Sequence, residues 1–152
     1  MIHSLKCQYA LRALFELASR ENEEVVSVGT IAREQAIPAR FLEQILAQLK
    51  QGGYVVSRRG IQGGYSLATS AGSLTVGQVV RFFEGPLSPV KGENTGESGA
   101  DSQPQPRRGR RAFADLWRRV QEAVEEVYDG TTFKDLAAQE PLPASSVIEY
   151  SI

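Results

Sequence analysis

Apolar residues recur at helical spacing from about residue 3 to 20. Leu5, Tyr9, Leu14, Leu17 and Ala18 form a wide stripe there, with Ala10, Ala13 and Phe15 beside it. Val28, Ile31 and Ala32 predict a second helix over 28–35, with Ser27 as its N-cap. Ala36-Ile37 form a tight connection. Pro38 suits the first position of a third helix, where its missing N–H would have had no partner. That helix takes Phe41, Leu42, Ile45, Leu46 and Leu49 as its buried stripe and ends at Gly52-Gly53. Arg40, Glu43, Gln44, Ala47 and Gln48 are left on its other face.

The period then changes. Tyr54-Val55-Val56-Ser57 is β-rich, 58–64 is a glycine-rich turn or loop, and Tyr65-Ser66-Leu67-Ala68 alternates, which predicts a β-hairpin. Thr75 to Glu84 reads as another helix, with Thr75 and Gln78 at capping-box spacing and Gly85 as its stop. Pro86 to Val90 reads as extended. From Gly92 to Pro106 the chain is almost wholly Gly, Ser, Glu, Asn, Gln and Pro; such a segment buries too little apolar area to offset its ordering entropy, so disorder is expected over about 91–108. The longest helix is expected over 111–129, striped by Phe113, Leu116, Trp117, Val120, Val124, Val127 and Tyr128. Thr131 or Thr132 can cap a short last helix over 133–137.

Two short helices joined by a tight turn and followed by a glycine-tipped hairpin make a winged helix-turn-helix. The expected fold is therefore mainly α with a small β-hairpin wing, plus a long C-terminal dimerisation helix. The expected divisions are a DNA-binding domain over 1–85, an extended and largely disordered linker over 86–110, the dimerisation and last helices over 111–138, and a flexible tail over 139–152. A helix fits the major groove of B-DNA, so the polar face of the third helix supplies candidate base contacts. Arginine can bind guanine bidentately, glutamine adenine, and glutamate can accept from cytosine N4, which singles out Arg40, Glu43 and Gln44. Arg58, Arg59 and Gly60 at the wing tip suit phosphate or a narrow minor groove, and Ser27 opens the second helix beside them. Taken singly, each piece is also what a solvated surface looks like; the order of the elements is more specific than any one of them.

The near-neutral charge changes little. With 17 Lys+Arg against 18 Asp+Glu, the net charge is −1. Residues 1–60 nevertheless carry eight basic against six acidic side chains, and 107–119 carry six arginines against one aspartate. Separate basic zones can contact phosphate on a neutral molecule. No apolar run approaches the ~20 residues of a membrane span, and the start of the chain lacks a signal-peptide core, so a cytoplasmic protein is expected. One cysteine, Cys7, and one histidine, His3, exclude an internal disulfide framework and weigh against an enzyme. Cys7 and His3 share a helix face at i and i+4, which leaves open a metal or redox role; a small buried packing residue is the plainer reading of Cys7, and no metal site is assigned.

The segments Tyr9 to Leu14, Phe41-Leu42-Glu43-Gln44-Ile45-Leu46, Arg59-Gly60-Ile61-Gln62-Gly63-Gly64-Tyr65-Ser66-Leu67-Ala68 and Val79 to Pro86 resemble the Rrf2 family of bacterial regulators. The resemblance covers 1–90 and resumes at 113–138. It implies a homodimer on an inverted-repeat operator in double-stranded DNA, with Arg40, Glu43 and Gln44 facing the major groove, Arg59 on the wing contact, and the long helix as dimer interface. Many members hold an iron–sulfur cluster through three cysteines. Here 86–111 contains neither Cys nor His, so no such cofactor is expected.

Glu84 to Val90, Leu116-Trp117 and Asp129 to Ala137 resemble the cluster-free cysteine-metabolism repressor branch of that family. That resemblance implies control of cysteine or sulfur genes and cysteine synthase as a partner, which captures a C-terminal Ile such as Ile152. A terminal carboxylate on an apolar side chain suits a pocket built for an amino acid. The polar insert at 91–108 is a departure from that branch and leaves the effector open. The competing readings are a redox- or metal-responsive sensor of the same family and a protein-interaction adaptor that no longer binds DNA.

Overall fold

The computed structural model describes residues 3–90 and 108–143. The expected disorder over 91–108 falls almost wholly outside them, as does the part of the expected tail from 144 to Ile152; Gln139, at the start of that tail, is the last residue of a helix. Helix α1 (Leu5–Ser19) starts where the Ser4 hydroxyl accepts the Cys7 N–H at 3.1 Å. It is the central element, packing on α2 (Val28–Gln35), α3 (Ala39–Gln51), α4 (Val76–Glu84) and α6 (Phe133–Gln139). Its inward stripe of Ala10, Ala13, Leu14 and Leu17 meets Ile31, Ile37, Leu42, Ile45, Leu46 and Leu49 in one apolar core. Ser27 caps α2 as expected, accepting the Thr30 N–H at 3.1 Å.

The turn from α2 to α3 passes through Ala36 in the left-handed region (φ 49°, ψ 46°), and Ile37 is buried beneath it. Pro38 stands one residue outside α3, as its N-cap, rather than at the first helical position. Its carbonyl still accepts the first intrahelical bond, from Leu42 N–H at 3.0 Å, so the expected geometry is displaced by one residue. Phe41 also departs from expectation: it is 55% exposed, while Leu42, Ile45, Leu46 and Leu49 are buried. The apolar arc of α3 is narrower than the sequence suggested, because Phe41 lies at its edge over a shallow apolar cleft shared with Leu5, Tyr9 and Ile45.

α3 ends in a Schellman arrangement, with Gly53 at φ 82° and Tyr54 N–H bonded to Leu49 O at 2.9 Å. Tyr54 is thereby part of the helix end, and strand β1 begins at Val55, one residue later than expected. β1 (Val55–Arg58) pairs antiparallel with β2 (Gly64–Leu67) in the register Val55↔Leu67 to Arg58↔Gly64. The hairpin is docked on the loop before α2 by two bonds of 2.8 Å, Val26 N–H to Tyr65 O and Tyr65 N–H to Val26 O. Gly64 makes this approach possible, since a Cβ there would lie 2.2 Å from Val26 O.

The Thr75–Gln78 capping box opens α4 as the spacing predicts. α5 (Arg110–Asp129) is the longest helix and buries no residue completely. Its last turns are fixed: Arg81 of α4 holds Asp129 through two bonds of 2.6 and 2.8 Å, and Val124 and Tyr128 rest on a small second core of Cys7, Val76, Val80 and Leu87. Thr132, not Thr131, caps α6, in a capping box with Asp135. α6 runs two residues beyond the expected 137 and sends Phe133, fully buried, back into the main core. No helix among the described residues is long and apolar enough to cross a membrane.

Candidate nucleic-acid interface

α3 enters the site with its buried face fixed against α1, which turns its opposite face outward. Arg40, Glu43 and Gln44 are all exposed there, in the first turns of the helix. None of them is paired with another side chain among the described residues, so their donors and acceptors are open to a ligand. The sequence grouped these residues on one face, and the structure keeps them together.

The wing contributes unequally. Arg59 sits at the exposed tip without a carboxylate partner among the described residues, and Gly60 beside it adopts φ 111°, a region disfavoured for any residue with a Cβ. Arg58 lies within β1 instead and is held by the Glu24 carboxylate, which keeps that carboxyl below its ordinary range through the hydrogen bond and its charge. Arg58 is thus positioned on the protein, while Arg59 is free. Ser27 uses its hydroxyl on Thr30 at the start of α2 and remains exposed.

Two features of this face were missed by sequence reasoning. Ile61, an apolar residue at the wing tip, is fully exposed; its place in a polar turn was the available signal. Glu24, which fixes Arg58, lies 34 residues away in sequence and carried no local signal. Gly63 closes the turn at short range, since a Cβ there would sit 2.2 Å from Arg58 O.

The stripe of α5 faces outward. Phe113, Leu116 and Val127 are exposed, Trp117, Val120 and Val124 are half-buried, and the Phe113 and Trp117 rings stack 6.0 Å apart. On the polar side Arg118 bridges Asp115 at 2.6 Å and Glu122 at 2.9 Å. The remaining candidate, Cys7, is buried, and its thiol is pushed up to about 11 by desolvation and, secondarily, by the Glu84 charge.

The Rrf2 family profile, described as that of an iron-dependent transcriptional regulator, matches residues 3–139. The chain belongs to the Rrf2 family. It is 37% identical over 135 residues to the helix-turn-helix regulator CymR of Bacillus subtilis, covering 89% of this chain and 88% of that protein. The solved structure of B. subtilis CymR, described as the global cysteine regulator of that organism, superposes with a TM-score of 0.74 at 36% identity, over 91% of this chain and 98% of that one. IscR of T. potens gives a TM-score of 0.71 at 30% identity, over 99% and 97%. This Rrf2 protein is a winged-helix DNA-binding transcriptional regulator, not an enzyme. The sequence carries one thiol, Cys7, whereas cysteine-ligated iron–sulfur clusters are held by several thiolates.

Proposed function

We propose that this Rrf2 protein is a repressor that binds an inverted-repeat operator as a homodimer and controls genes of cysteine or sulfur metabolism. The observation that carries the DNA reading is the presence of two exposed guanidinium groups without carboxylate partners among the described residues, Arg40 on α3 and Arg59 on the wing, with the wing docked on the loop before α2 by the Val26–Tyr65 bridge. Arg40, Glu43 and Gln44 read base edges. Arg59 and the Gly60 backbone contact phosphate or the minor groove. Ser27 and Arg58 border the same face.

A dimer is supported by α5. Of the six apolar residues at helical spacing, Val124 packs on the small core, and Phe113, Leu116, Trp117, Val120 and Val127 form a stripe that the described residues of one protomer cover only in part. Burying such a stripe against a second copy is driven by the apolar area removed from water. Two-fold symmetry then sets the recognition helices about 34 Å apart, one turn of DNA. The cysteine reading is supported by the likeness to B. subtilis CymR over nearly the whole of both chains. Signalling in this reading does not pass through an iron–sulfur cluster. It passes through a partner, cysteine synthase, that engages Ile152.

Immunoprecipitation of bound genomic fragments tests the function. Enrichment of palindromic sites upstream of sulfur genes is the expected result, with affinity on the order of 10⁻⁸–10⁻¹¹ M for a purified site. Equal affinity for palindromic and scrambled duplexes refutes sequence-specific regulation. A pull-down with cysteine synthase that survives deletion of Ile152 refutes the proposed partner contact.

A further inference from the structure

Away from the DNA-facing surface, three side chains from two elements converge beside the root of α5. His3 and Cys7 flank the Ser4 cap of α1, and Glu84 ends α4. A His3 ring nitrogen, Cys7 Sγ and a Glu84 carboxylate oxygen all lie within 4.8 Å of one another. We propose that His3, Cys7 and Glu84 form a site for one divalent transition-metal ion of borderline softness, with Zn²⁺ as the best match.

The donor set is one imidazole, one thiolate and one carboxylate, the mixture that Zn²⁺ accepts in tetrahedral sites with one position open. Metal–ligand lengths of roughly 2.0–2.3 Å put ligand atoms about 3.3–3.7 Å apart around a tetrahedral ion. Closing the triad by about an ångström reaches that geometry.

The surroundings are those of a supported site. Ser4 N–H and Oγ–H donate to Glu84 Oε1 at 2.7 and 2.5 Å, which orients the carboxylate and leaves Oε2 for a ligand. Tyr128 OH hydrogen-bonds His3 Nε2 at 2.6 Å and orients the ring, as second partners do for metal-bound histidines. Glu84 is exposed, so an ion meets its carboxylate from solvent, while the sulfur is buried behind it.

In metal-free protein, burial and the Glu84 charge both oppose ionisation of the Cys7 thiol. A divalent ion between them reverses the balance. The thiol proton leaves to solvent as the sulfur–metal bond forms, the metal keeps its oxidation state, and the two anionic ligands neutralise it. Because Tyr128 belongs to α5, occupancy would stiffen the junction of α1, α4 and α5. Ion binding at this site is independent of the DNA-binding reading.

Reduced, metal-free, full-length protein titrated with Co²⁺, without DNA, tests the site. The expected result is one ion per protomer, with thiolate-to-cobalt charge-transfer absorption and visible bands of a tetrahedral ion, both removed by Zn²⁺. Cys7→Ser should abolish the charge-transfer absorption, Glu84→Gln should weaken binding, and Tyr128→Phe should weaken it roughly 10–100-fold. Wild-type protein should also release about one proton per Zn²⁺ bound at mildly alkaline pH. Charge-transfer absorption that persists in Cys7→Ser, or Zn²⁺ addition to wild-type protein without proton release, overturns the proposal.

Discussion

Replacing Gly64 with Ala tests whether the wing and the helix-turn-helix are one mechanical unit. The added Cβ would lie 2.2 Å from Val26 O, 2.5 Å from Val26 C and 2.9 Å from Ser27 N. All three are backbone atoms, so no side-chain rotation relieves the clash; the hairpin must move away from the loop. That movement breaks both 2.8 Å bonds of the Val26–Tyr65 bridge, each with a net contribution of about 1 kcal/mol. It also disturbs the Ser27 cap of α2, a further contribution of about 1 kcal/mol. The expected loss is about 2–4 kcal/mol, a large part of the roughly 5–15 kcal/mol that stabilises a domain. Gly60→Ala is the control: its φ of 111° is strained for alanine, but no atom lies within 4 Å of the new Cβ, so the tip changes while the docking remains. Urea unfolding gives the stability, and fluorescence anisotropy on labelled operator gives the affinity of the folded fraction. Gly64→Ala should lower both, although no charge has been altered. A Gly64→Ala protein within about 0.5 kcal/mol of wild type, or one with unchanged affinity once corrected for unfolded protein, would refute the docking argument.

Arg59→Ala should weaken binding almost equally on all sequences and reduce the slope of log affinity against log salt by about 1, whereas Gln44→Ala should cost about 1–3 kcal/mol on the preferred operator only; competition anisotropy over a salt series separates them. Leu116→Asp on the uncovered stripe of α5 should yield folded monomers in sedimentation experiments, with unchanged circular dichroism, because the side chain is not part of either core. Cys7 should give metal-free protein an alkaline weakness. Its folded thiol lies near 11 against an ordinary 9.0, so the native state holds the proton more tightly than the unfolded chain. The associated stability is complete below pH 9 and is lost between pH 9 and about 11; urea midpoints across that range should fall more steeply for wild type than for Cys7→Ala.

Much of this molecule could be read from short-range pattern. The Ser27 cap and the Thr75–Gln78 box depend on residues three apart, so their chemistry is visible in the sequence and reappears in the fold. The polar face of α3 follows from periodicity in the same way. Boundary errors have local causes: Tyr54 looks like a strand residue, but its N–H completes the end of α3. Phe41 was misplaced because a helical stripe shows direction but not width; the structure alone shows that α1 covers the Leu42 and Ile45 side of α3 and stops short of it. The contacts that were not legible join distant segments. Arg58 meets Glu24, Ser4 meets Glu84 and His3 meets Tyr128 across 34, 80 and 125 positions, and single-residue chemistry at either end does not announce the other.

The attachment of α5 has a mechanical consequence. Its C-terminal end is clamped by Arg81–Asp129, by the rest of Val124 and Tyr128 on the small core, and by the buried Phe133 just beyond it, while among the described residues its first turns belong to neither core. A helix of 20 residues is about 30 Å long. It behaves as a cantilever: a rotation of roughly 10° at the clamped root carries the far end through about 5 Å, the pitch of one helical turn. A small rearrangement among His3, Glu84 and Tyr128 would therefore be amplified into a lateral displacement at the opposite end of the lever.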